Sequence, residues 1–292
     1  MNYRHAFHAG SFADVAKHAV LCRILAHLRE KPAPFRVIDT HAGAGLYNLA
    51  GSEAIRSGEW RDGVGRLMAA ALSPPATALL APYLEVISAL NAPGDLRTYP
   101  GSPALARAWL RENDRLIACE LQPEAATALR QNLRGDPRIK AIEIDGWTAL
   151  PAYVPPVERR GLVLVDPPFE QEGEFVRLTR GLEEAYRKWP TGIYALWYPI
   201  KGRPEPDALA KSVRRLARSA LGIGKVLRAE LAVSPLSDPS RLNGSGLLVV
   251  NPPWKLEAEL SVLYPELAAI LGRAGKGSHR VDWLAGERAT QG

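Results

Sequence analysis

An uncharged run at residues 161–165 leads directly into the tetrapeptide Asp166-Pro-Pro-Phe169. A short, valine-rich run without polar alternation predicts a strand that is buried on both faces of a parallel sheet. Because prolines cannot donate hydrogen bonds to a neighbouring strand, this strand should end at Asp166. Its end would present a carboxylate, the carbonyl of Pro167 and the ring of Phe169. These groups suit a planar ligand with an exocyclic amine, such as a nucleobase, but an ordinary strand followed by a proline loop fits the residues equally well.

Three further segments have the pattern of strands that end on an acid. They are residues 35–39, 115–120 and 140–145, which end at Asp39, Glu120 and Asp145. In an open parallel sheet, ligands bind outside the carboxyl ends of the strands, so these acids and Asp166 should meet at one edge. Four converging acids indicate a binding site rather than a solvated surface. An acid in the place of Glu120 can bind both hydroxyls of a ribose.

The first of these strands runs into a glycine turn, Thr40-His-Ala-Gly43-Ala-Gly45. Glycines in such a turn let the backbone bend sharply and let a ligand approach closely, which makes Gly43 a candidate cofactor-binding residue. A dinucleotide-binding fingerprint requires a third glycine, but Asn48 stands in its place. The turn also suits an enzyme that uses S-adenosylmethionine, in which Asp39 would meet the amino-acid end of the cofactor or orient the loop.

The chain has 292 residues, enough for one large α/β domain with or without an insertion. In a plain strand–helix–strand unit, the second acid should follow about 20 residues after the glycine turn, yet Glu120 is much farther away. The intervening residues, at about 50–100, contain helical patterns and a turn-rich end. We therefore expect a single domain over residues 1–292, with a small helical subdomain inserted at about 50–100.

Composition narrows the classes of function. The net charge is +6 and the isoelectric point is about 9.4, which permits a polyanionic partner. The two cysteines, Cys22 and Cys119, form neither a metal-binding spacing nor a disulfide framework, which fits a reducing compartment. The first thirty residues do not have the pattern of a signal peptide, and no apolar run is long enough to cross a membrane. We expect a cytoplasmic protein without a metal or a membrane partner.

Two basic segments are candidates for contact with nucleic acid. Residues 1–10 combine aromatic and basic side chains, which would either stack on nucleic acid or pack on the domain. A helix predicted at 207–221 carries cations on one face, which would either contact phosphates or form an ordinary solvated surface. These cations are Lys211, Arg214, Arg215 and Arg218.

The tetrapeptide Asn251-Pro-Pro-Trp254 repeats the pattern of Asp166-Pro-Pro-Phe169. In the fold expected here the last strand runs antiparallel to its neighbours, so its end lies at the edge of the sheet opposite the acids. We therefore predict a structural role for Asn251.

The glycine turn together with Asp166-Pro-Pro-Phe169 resembles the class I adenine-N6 methyltransferases. Further blocks are similar to the bacterial 23S ribosomal RNA (adenine-2030-N6)-methyltransferase family: Tyr3-Arg-His-Ala-Phe-His-Ala-Gly10, Ala13-Asp-Val-Ala-Lys-His18, Tyr99-Pro-Gly-Ser-Pro103, Ala195-Leu-Trp-Tyr-Pro199 and Asn251-Pro-Pro-Trp-Lys-Leu256. The resemblance covers nearly the whole chain. It implies a Rossmann-like α/β fold with a mostly parallel seven-stranded sheet, helices on both faces and the inserted helical subdomain.

The resemblance also implies the roles of individual residues. It places S-adenosylmethionine among His18, His41, Ser102, Glu120, Asp145, Gly146 and Asp166, and it places Tyr3 against the RNA. The implied partner is 23S ribosomal RNA, either protein-free or an early assembly precursor, and we expect the protein to act as a monomer. One departure is Phe169, where many members have tyrosine, so stacking is retained but a phenolic hydrogen bond is not.

In the mechanism expected from these residues, an adenine leaves its stack and enters the pocket. Its N6 amine would donate to the Asp166 carboxylate and the Pro167 carbonyl while Phe169 stacks on the ring. Three alternatives remain open. A DNA adenine methyltransferase would share the pocket, but no separate DNA-reading domain is evident. A non-catalytic RNA-binding protein would not require the four acids, and a nicotinamide oxidoreductase is disfavoured by Asn48.

Overall fold

The computed structural model describes residues 4–286, so the predicted RNA contact of Tyr3 lies outside the described residues. The α-helices are α1 (Phe12–Arg29), α2 (Ser52–Ser57), α3 (Arg66–Ala69), α4 (Pro74–Ala89), α5 (Ser102–Trp109), α6 (Pro123–Asn132), α7 (Gly146–Tyr153), α8 (Glu174–Lys188), α9 (Pro204–Arg218) and α10 (Leu256–Leu271). The strands are β1 (Arg36–Asp39), β2 (Leu46–Asn48), β3 (Thr98–Pro100), β4 (Arg115–Glu120), β5 (Ile139–Glu143), β6 (Gly161–Val165), β7 (Ile193–Ile200), β8 (Val226–Ala232), β9 (Gly244–Val250) and β10 (Ser278–Ala285).

The main sheet has the strand order β10-β8-β9-β7-β6-β1-β4-β5. The five strands from β5 to β7 are parallel, whereas β9 runs antiparallel to both β7 and β8. The predicted α/β class and mostly parallel sheet are confirmed, but the sheet has eight strands rather than seven. The additional strand, β10, is antiparallel to β8 and lies at an edge. Its first three residues, Ser278 to Arg280, are exposed, so they lack the apolar alternation by which a strand is predicted.

Strand β6 occupies the middle of the sheet, and all five of its residues are buried. Leu162 and Leu164 pack into the core on one face, and Val163 and Val165 pack into the core on the other. Gly161 begins the strand at φ +151°, and a Cβ atom there would lie 1.8 Å from the carbonyl oxygen of Arg36. Only glycine therefore permits this approach of β6 to β1.

Helix α1 is buried on nearly all sides. Fourteen of its eighteen residues are buried, including the charged residues Asp14 and Lys17. Helices α1, α4, α5 and α10 contribute to the core on one face of the sheet, and α8 and α9 contribute to the core on the other. Among residues 4–286, no helix has the length and apolar character needed to span a membrane.

Residues 49–97 leave and rejoin the fold at one place, because β2 and β3 pair antiparallel, with Tyr47 opposite Tyr99. The segment between these strands contains α2, α3 and α4. The pairing of β2 with β3 holds the two ends of this segment side by side, which supports our proposal that residues at about 50–100 form a helical insertion.

The antiparallel direction predicted for the strand before Asn251 is confirmed. Asn251 therefore lies where the parallel strands begin, whereas Asp166 lies where they end. Its side-chain amide donates to the carbonyl oxygens of Pro190 and Gly192, both at 2.8 Å. These bonds give Asn251 a structural environment that differs from that of Asp166 despite the similar tetrapeptide.

Candidate active site

A cavity of about 1030 Å³ lies at the carboxyl ends of the parallel strands. Seven of the predicted site residues line it: His18, His41, Gly43, Ser102, Glu120, Asp145 and Asp166. Of the other candidates within the described chain, Gly146, Pro167 and Phe169 are not lining residues. The expected convergence at one edge thus brings three of the four strand-terminal acids into one cavity, and Asp39 is buried beneath it.

Glu120 holds the glycine turn through its carboxylate. Its Oε2 accepts from the backbone N–H of Gly43 at 2.9 Å, and its Oε1 accepts from Gln122 at 2.7 Å. Each carboxylate oxygen retains a second lone pair for a ligand. Gly43 has φ +60°, and a Cβ atom there would lie 2.0 Å from the hydroxyl of Tyr47, so the turn requires glycine.

Asp39 connects the turn to the start of α5. Ser102 donates from its hydroxyl to Oδ2 of Asp39 at 2.6 Å, and the backbone N–H of His41 donates to Oδ1 at 3.4 Å. Burial raises the pKa of Asp39 to about 7, with nearby Asp166 adding to the effect. This environment favours the loop-orienting role over direct contact with a ligand.

The hydrogen bonds of His41 determine which ring nitrogen carries the proton. Thr40 donates from its hydroxyl to the carbonyl of Leu164 at 2.9 Å, so its oxygen accepts from Nδ1–H of His41 at 2.8 Å. Burial lowers the pKa of His41 to about 4, which keeps the ring neutral near pH 7. The Nε2 atom of His41 consequently presents a lone pair.

His18 differs from His41 in which ring nitrogen carries the proton. Its Nδ1 lies 2.7 Å from the hydroxyl of Tyr99, which lies 2.7 Å from the hydroxyl of Tyr83 in α4. Both tyrosines are fully buried, and within residues 4–286 the Tyr83 hydroxyl has no other hydrogen-bond partner. Tyr83 must therefore donate to Tyr99, and Tyr99 must donate to Nδ1, because the reverse order leaves a buried proton without an acceptor. Burial lowers the pKa of His18 to about 3, so a neutral ring presents Nε2–H.

Asp145 lies two residues after the end of β5 and caps α7. Its Oδ2 accepts from the backbone N–H of Thr148 at 3.3 Å and lies 3.8 Å from Arg177. A Cβ atom on Gly146 would lie 2.2 Å from the carbonyl oxygen of Thr40 and 2.7 Å from the His41 ring. Gly146 therefore permits α7 to approach the turn, although it does not itself line the cavity.

Lys17 is a site residue that was not predicted from the sequence. Its ammonium forms a hydrogen-bonded ion pair with Oδ2 of Asp166, and it lies 2.9 Å from Oδ1 of Asp14. Burial alone would lower the pKa of Lys17, but the two carboxylates outweigh burial and raise it, so the ammonium stays charged. In the described residues Oδ1 of Asp166 has no hydrogen-bond partner, which leaves it available to a ligand. The only sequence signal was the grouping of Asp14, Lys17 and His18 near the start of a helix.

Asp14 completes this charged group from the first turn of α1. It accepts from His5 Nε2 at 3.1 Å and from the backbone N–H of Gly10 at 2.9 Å. Burial would raise the pKa of Asp14, but Lys17, His5 and His18 together outweigh burial and hold the pKa well below its usual value. These bonds tie residues 5–10 to the same ion-pair group as Asp166.

Phe169 lies behind the Asp166 loop. Its ring packs edge to face on Phe175 and Trp197, with centroids 4.8 and 5.6 Å away. Its φ of 51° lies in the left-handed region, which is costly for a residue with a bulky side chain. The ring of Trp197 is also 5.8 Å from the ammonium of Lys17, so the aromatic cluster packs beside this partner of Asp166.

Among the described residues, no group of three histidine, cysteine, aspartate or glutamate side chains could hold a metal ion. Both cysteines are buried and free. Burial raises the pKa of the Cys119 thiol to about 12.

Residues 32–285 match a family described as "Ribosomal RNA large subunit methyltransferase D, RlmJ". The Ribosomal RNA large subunit methyltransferase J of Escherichia coli K12 is 43% identical over 98% of this chain and 100% of its own length. The protein of that name from Haemophilus influenzae is 40% identical over the same shares. The crystal structure of protein LPL1258 from Legionella pneumophila has a TM-score of 0.84 and 32% identity, covering 94% of this chain and 98% of its own.

Proposed function

The chain belongs to the large subunit ribosomal RNA methyltransferase family RlmJ, and on that premise we propose that it methylates N6 of an adenine in 23S ribosomal RNA with S-adenosylmethionine. The resemblance of its motifs narrows the proposal to adenine 2030. The observation that carries the proposal is that Asp166 and the glycine turn border one cavity. We further propose that the protein acts as a cytoplasmic monomer on RNA that is protein-free or in early assembly.

The donors and acceptors of the cavity fit S-adenosylmethionine. Glu120 offers free lone pairs to the two hydroxyls of a ribose, beside a turn that only glycine permits. His18 offers an N–H and His41 offers a lone pair, a combination that suits a ligand end carrying both a carboxylate and an amine. The cofactor would supply a methyl group on a positively charged sulfur. The cavity volume of about 1030 Å³ is at the upper end for a small-molecule site, which leaves space for a nucleobase as well.

The Asp166 loop supplies the groups that would hold the target base. Extruding an adenine from its stack costs on the order of a few kcal/mol. Contacts within the pocket must offset this cost. Oδ1 of Asp166 and the Pro167 carbonyl would accept from N6 and aim its lone pair at the methyl group, while Lys17 fixes the other carboxylate oxygen. Such orientation of two reactants is worth about 7–11 kcal/mol. The ring of Phe169 that would stack on the base also contacts Phe175 and Trp197.

The experiment is to replace Asp166 with Asn, which retains the shape of the side chain but removes its charge. Labelled methyl transfer to protein-free 23S ribosomal RNA should fall by at least 100-fold, and N6-methyladenosine should be mapped by mass spectrometry of RNA fragments. Cofactor affinity measured by calorimetry should change much less. The matched control is Asn251→Ala, which alters the similar tetrapeptide at the other edge and should leave methyl transfer unchanged.

Three results would count against the proposal. A folded Asp166→Asn protein that binds cofactor and methylates at the normal rate would remove Asp166 from the mechanism. Methylation of duplex DNA in preference to RNA would identify a DNA adenine methyltransferase. RNA binding without any cofactor binding would identify a non-catalytic RNA-binding protein.

A further inference from the structure

The sheet edge that carries Asp166 continues beyond the active-site cavity with exposed cations. Lys201 follows β7, Arg241 precedes β9, and Arg273 and Lys276 precede β10. We name these four residues the distal cation cluster. Because β9 and β10 are antiparallel to their neighbours, the starts of these two strands lie at the same edge as the ends of β7 and β8.

Hydrogen bonds hold the segments of this cluster together. The buried side chain of Asn243 donates to the carbonyl oxygen of Lys201 at 2.7 Å. The backbone carbonyl of Asn243 accepts from the backbone N–H of Val233 at 2.8 Å. The carbonyl of Val233 then accepts from the backbone N–H of Arg273 at 2.7 Å. The backbone that carries the cations is thus a fixed framework rather than a set of independent loops.

The charges of the cluster are largely uncompensated. Arg241 is 3.4 Å from Asp238, but both side chains are more than half exposed, so this pair is weak. Across residues 4–286, Lys201, Arg273 and Lys276 form no ion pair with a carboxylate. Exposed cations without partners are available to phosphates, which bind them largely through charge.

A second cavity, of about 410 Å³, borders this cluster. Arg241 and Arg273 line one side of it, and Glu59 and Asp62 line the other. Glu59 is hydrogen-bonded to His8 at 3.0 Å, and Asp62 forms an ion pair with Arg66 at 2.8 Å. Neither acid forms an ion pair with Arg241 or Arg273 in the described residues.

The short helix α2 separates the two cavities. Ser52 and Glu53 at its beginning line the active-site cavity, and Ser57 at its end lines the second cavity. A six-residue helix is about 9 Å long, and three strand spacings between β6 and β8 amount to about 14 Å. The distal cation cluster thus lies within a few nucleotides of a base held at Asp166.

We propose that the distal cation cluster binds the phosphate backbone of the RNA beside the target adenine. This inference rests on the proposed function. The other basic stripe, on α9, is a poorer candidate. Helix α9 starts after β7 at the active-site edge and runs back towards the start of β8, so Lys211 and Arg215 lie progressively farther from that edge.

The test compares two double variants that each remove two exposed cations. Arg273→Ala with Lys276→Ala should weaken binding of a 23S ribosomal RNA fragment at least 10-fold at 0.1 M salt. The slope of log Kd against log salt concentration should fall by about 1.4 to 1.8, the value for two lost phosphate contacts. Lys211→Ala with Arg215→Ala is the charge-matched control and should leave both quantities unchanged.

Further measurements separate the possible failures. Cofactor affinity and methylation of a very short RNA around the target adenine should stay at wild-type levels in both double variants. An unchanged salt slope in the Arg273–Lys276 variant, or a reduced slope in the Lys211–Arg215 variant, would overturn the inference while wild-type methylation stands. Absence of RNA methylation by the wild-type protein would instead overturn the proposed function.

Discussion

Replacing Lys17 with Met tests the buried ion-pair group most directly. Lys17 is 5% exposed and its ammonium contacts both Asp14, which is 2% exposed, and Asp166. Methionine retains most of the volume but leaves two carboxylates together without their cation. Removing one partner of a buried ion pair costs about 3–5 kcal/mol of folding stability. Because Asp14 also accepts from His5 and Gly10, we expect a loss of about 3 kcal/mol, at the lower end of that range.

The measurement is urea unfolding at pH 7, with Lys255→Met as the matched control. Lys255 pairs with Glu30 at 2.9 Å, but the two side chains are 41% and 45% exposed. An exposed pair contributes about 0–1 kcal/mol, so the two substitutions should differ by at least about 2 kcal/mol. Methyl transfer should also fall in the Lys17 variant because Asp166 loses its anchor. Equal stability losses for the two variants would refute the buried ion pair.

Three further predictions concern the residues around the glycine turn. Asp39→Asn tests the raised pKa of Asp39, which is about 7 in the folded protein against an ordinary value of 3.8. Between pH 4 and pH 7 the folded protein keeps this proton and the unfolded chain loses it. The stability of the wild type relative to the variant should therefore fall as the pH rises from 4 to 7. Urea unfolding at pH 5 and pH 8 measures this difference, and a constant difference would contradict it. Thr40→Val should release the His41 proton from Nδ1, which nitrogen NMR of the ring would detect; an unchanged tautomer would exclude the role of Thr40. Gly43→Ala should weaken cofactor binding in calorimetry, and Tyr47→Phe should restore part of it because the next atom is 3.4 Å away. A double variant no better than Gly43→Ala would rule out the steric explanation.

The strands and their acids could be predicted because both signals are local. The uncharged run before Asp166 and the glycine turn after Asp39 identify strand ends from adjacent residues alone. The rule that parallel strands bind ligands at their carboxyl ends then brings the acids together. The direction of the strand before Asn251 required the expected topology, and the structure confirmed it.

The residues that were missed depend on contacts between distant parts of the chain. Lys17 meets Asp166 across 149 positions, so no sequence spacing indicates the pair. The proton positions of His18 and His41 depend on Tyr83, Tyr99 and Thr40, whose hydroxyls are oriented only in the folded protein. Strand β10 was missed because an exposed edge strand does not need an apolar pattern.

The burial of α1 has a consequence for synthesis of the chain. This helix is made first, but Arg23 pairs with Glu259 of α10 at 2.6 Å, and α10 begins more than 200 residues after α1 ends. At translation rates of about 5–20 residues per second, the helix waits about 10 to 45 seconds for that partner. Throughout this interval the part of α1 that packs on α10 has no permanent cover, although α4 and α5, which also pack on α1, are made earlier.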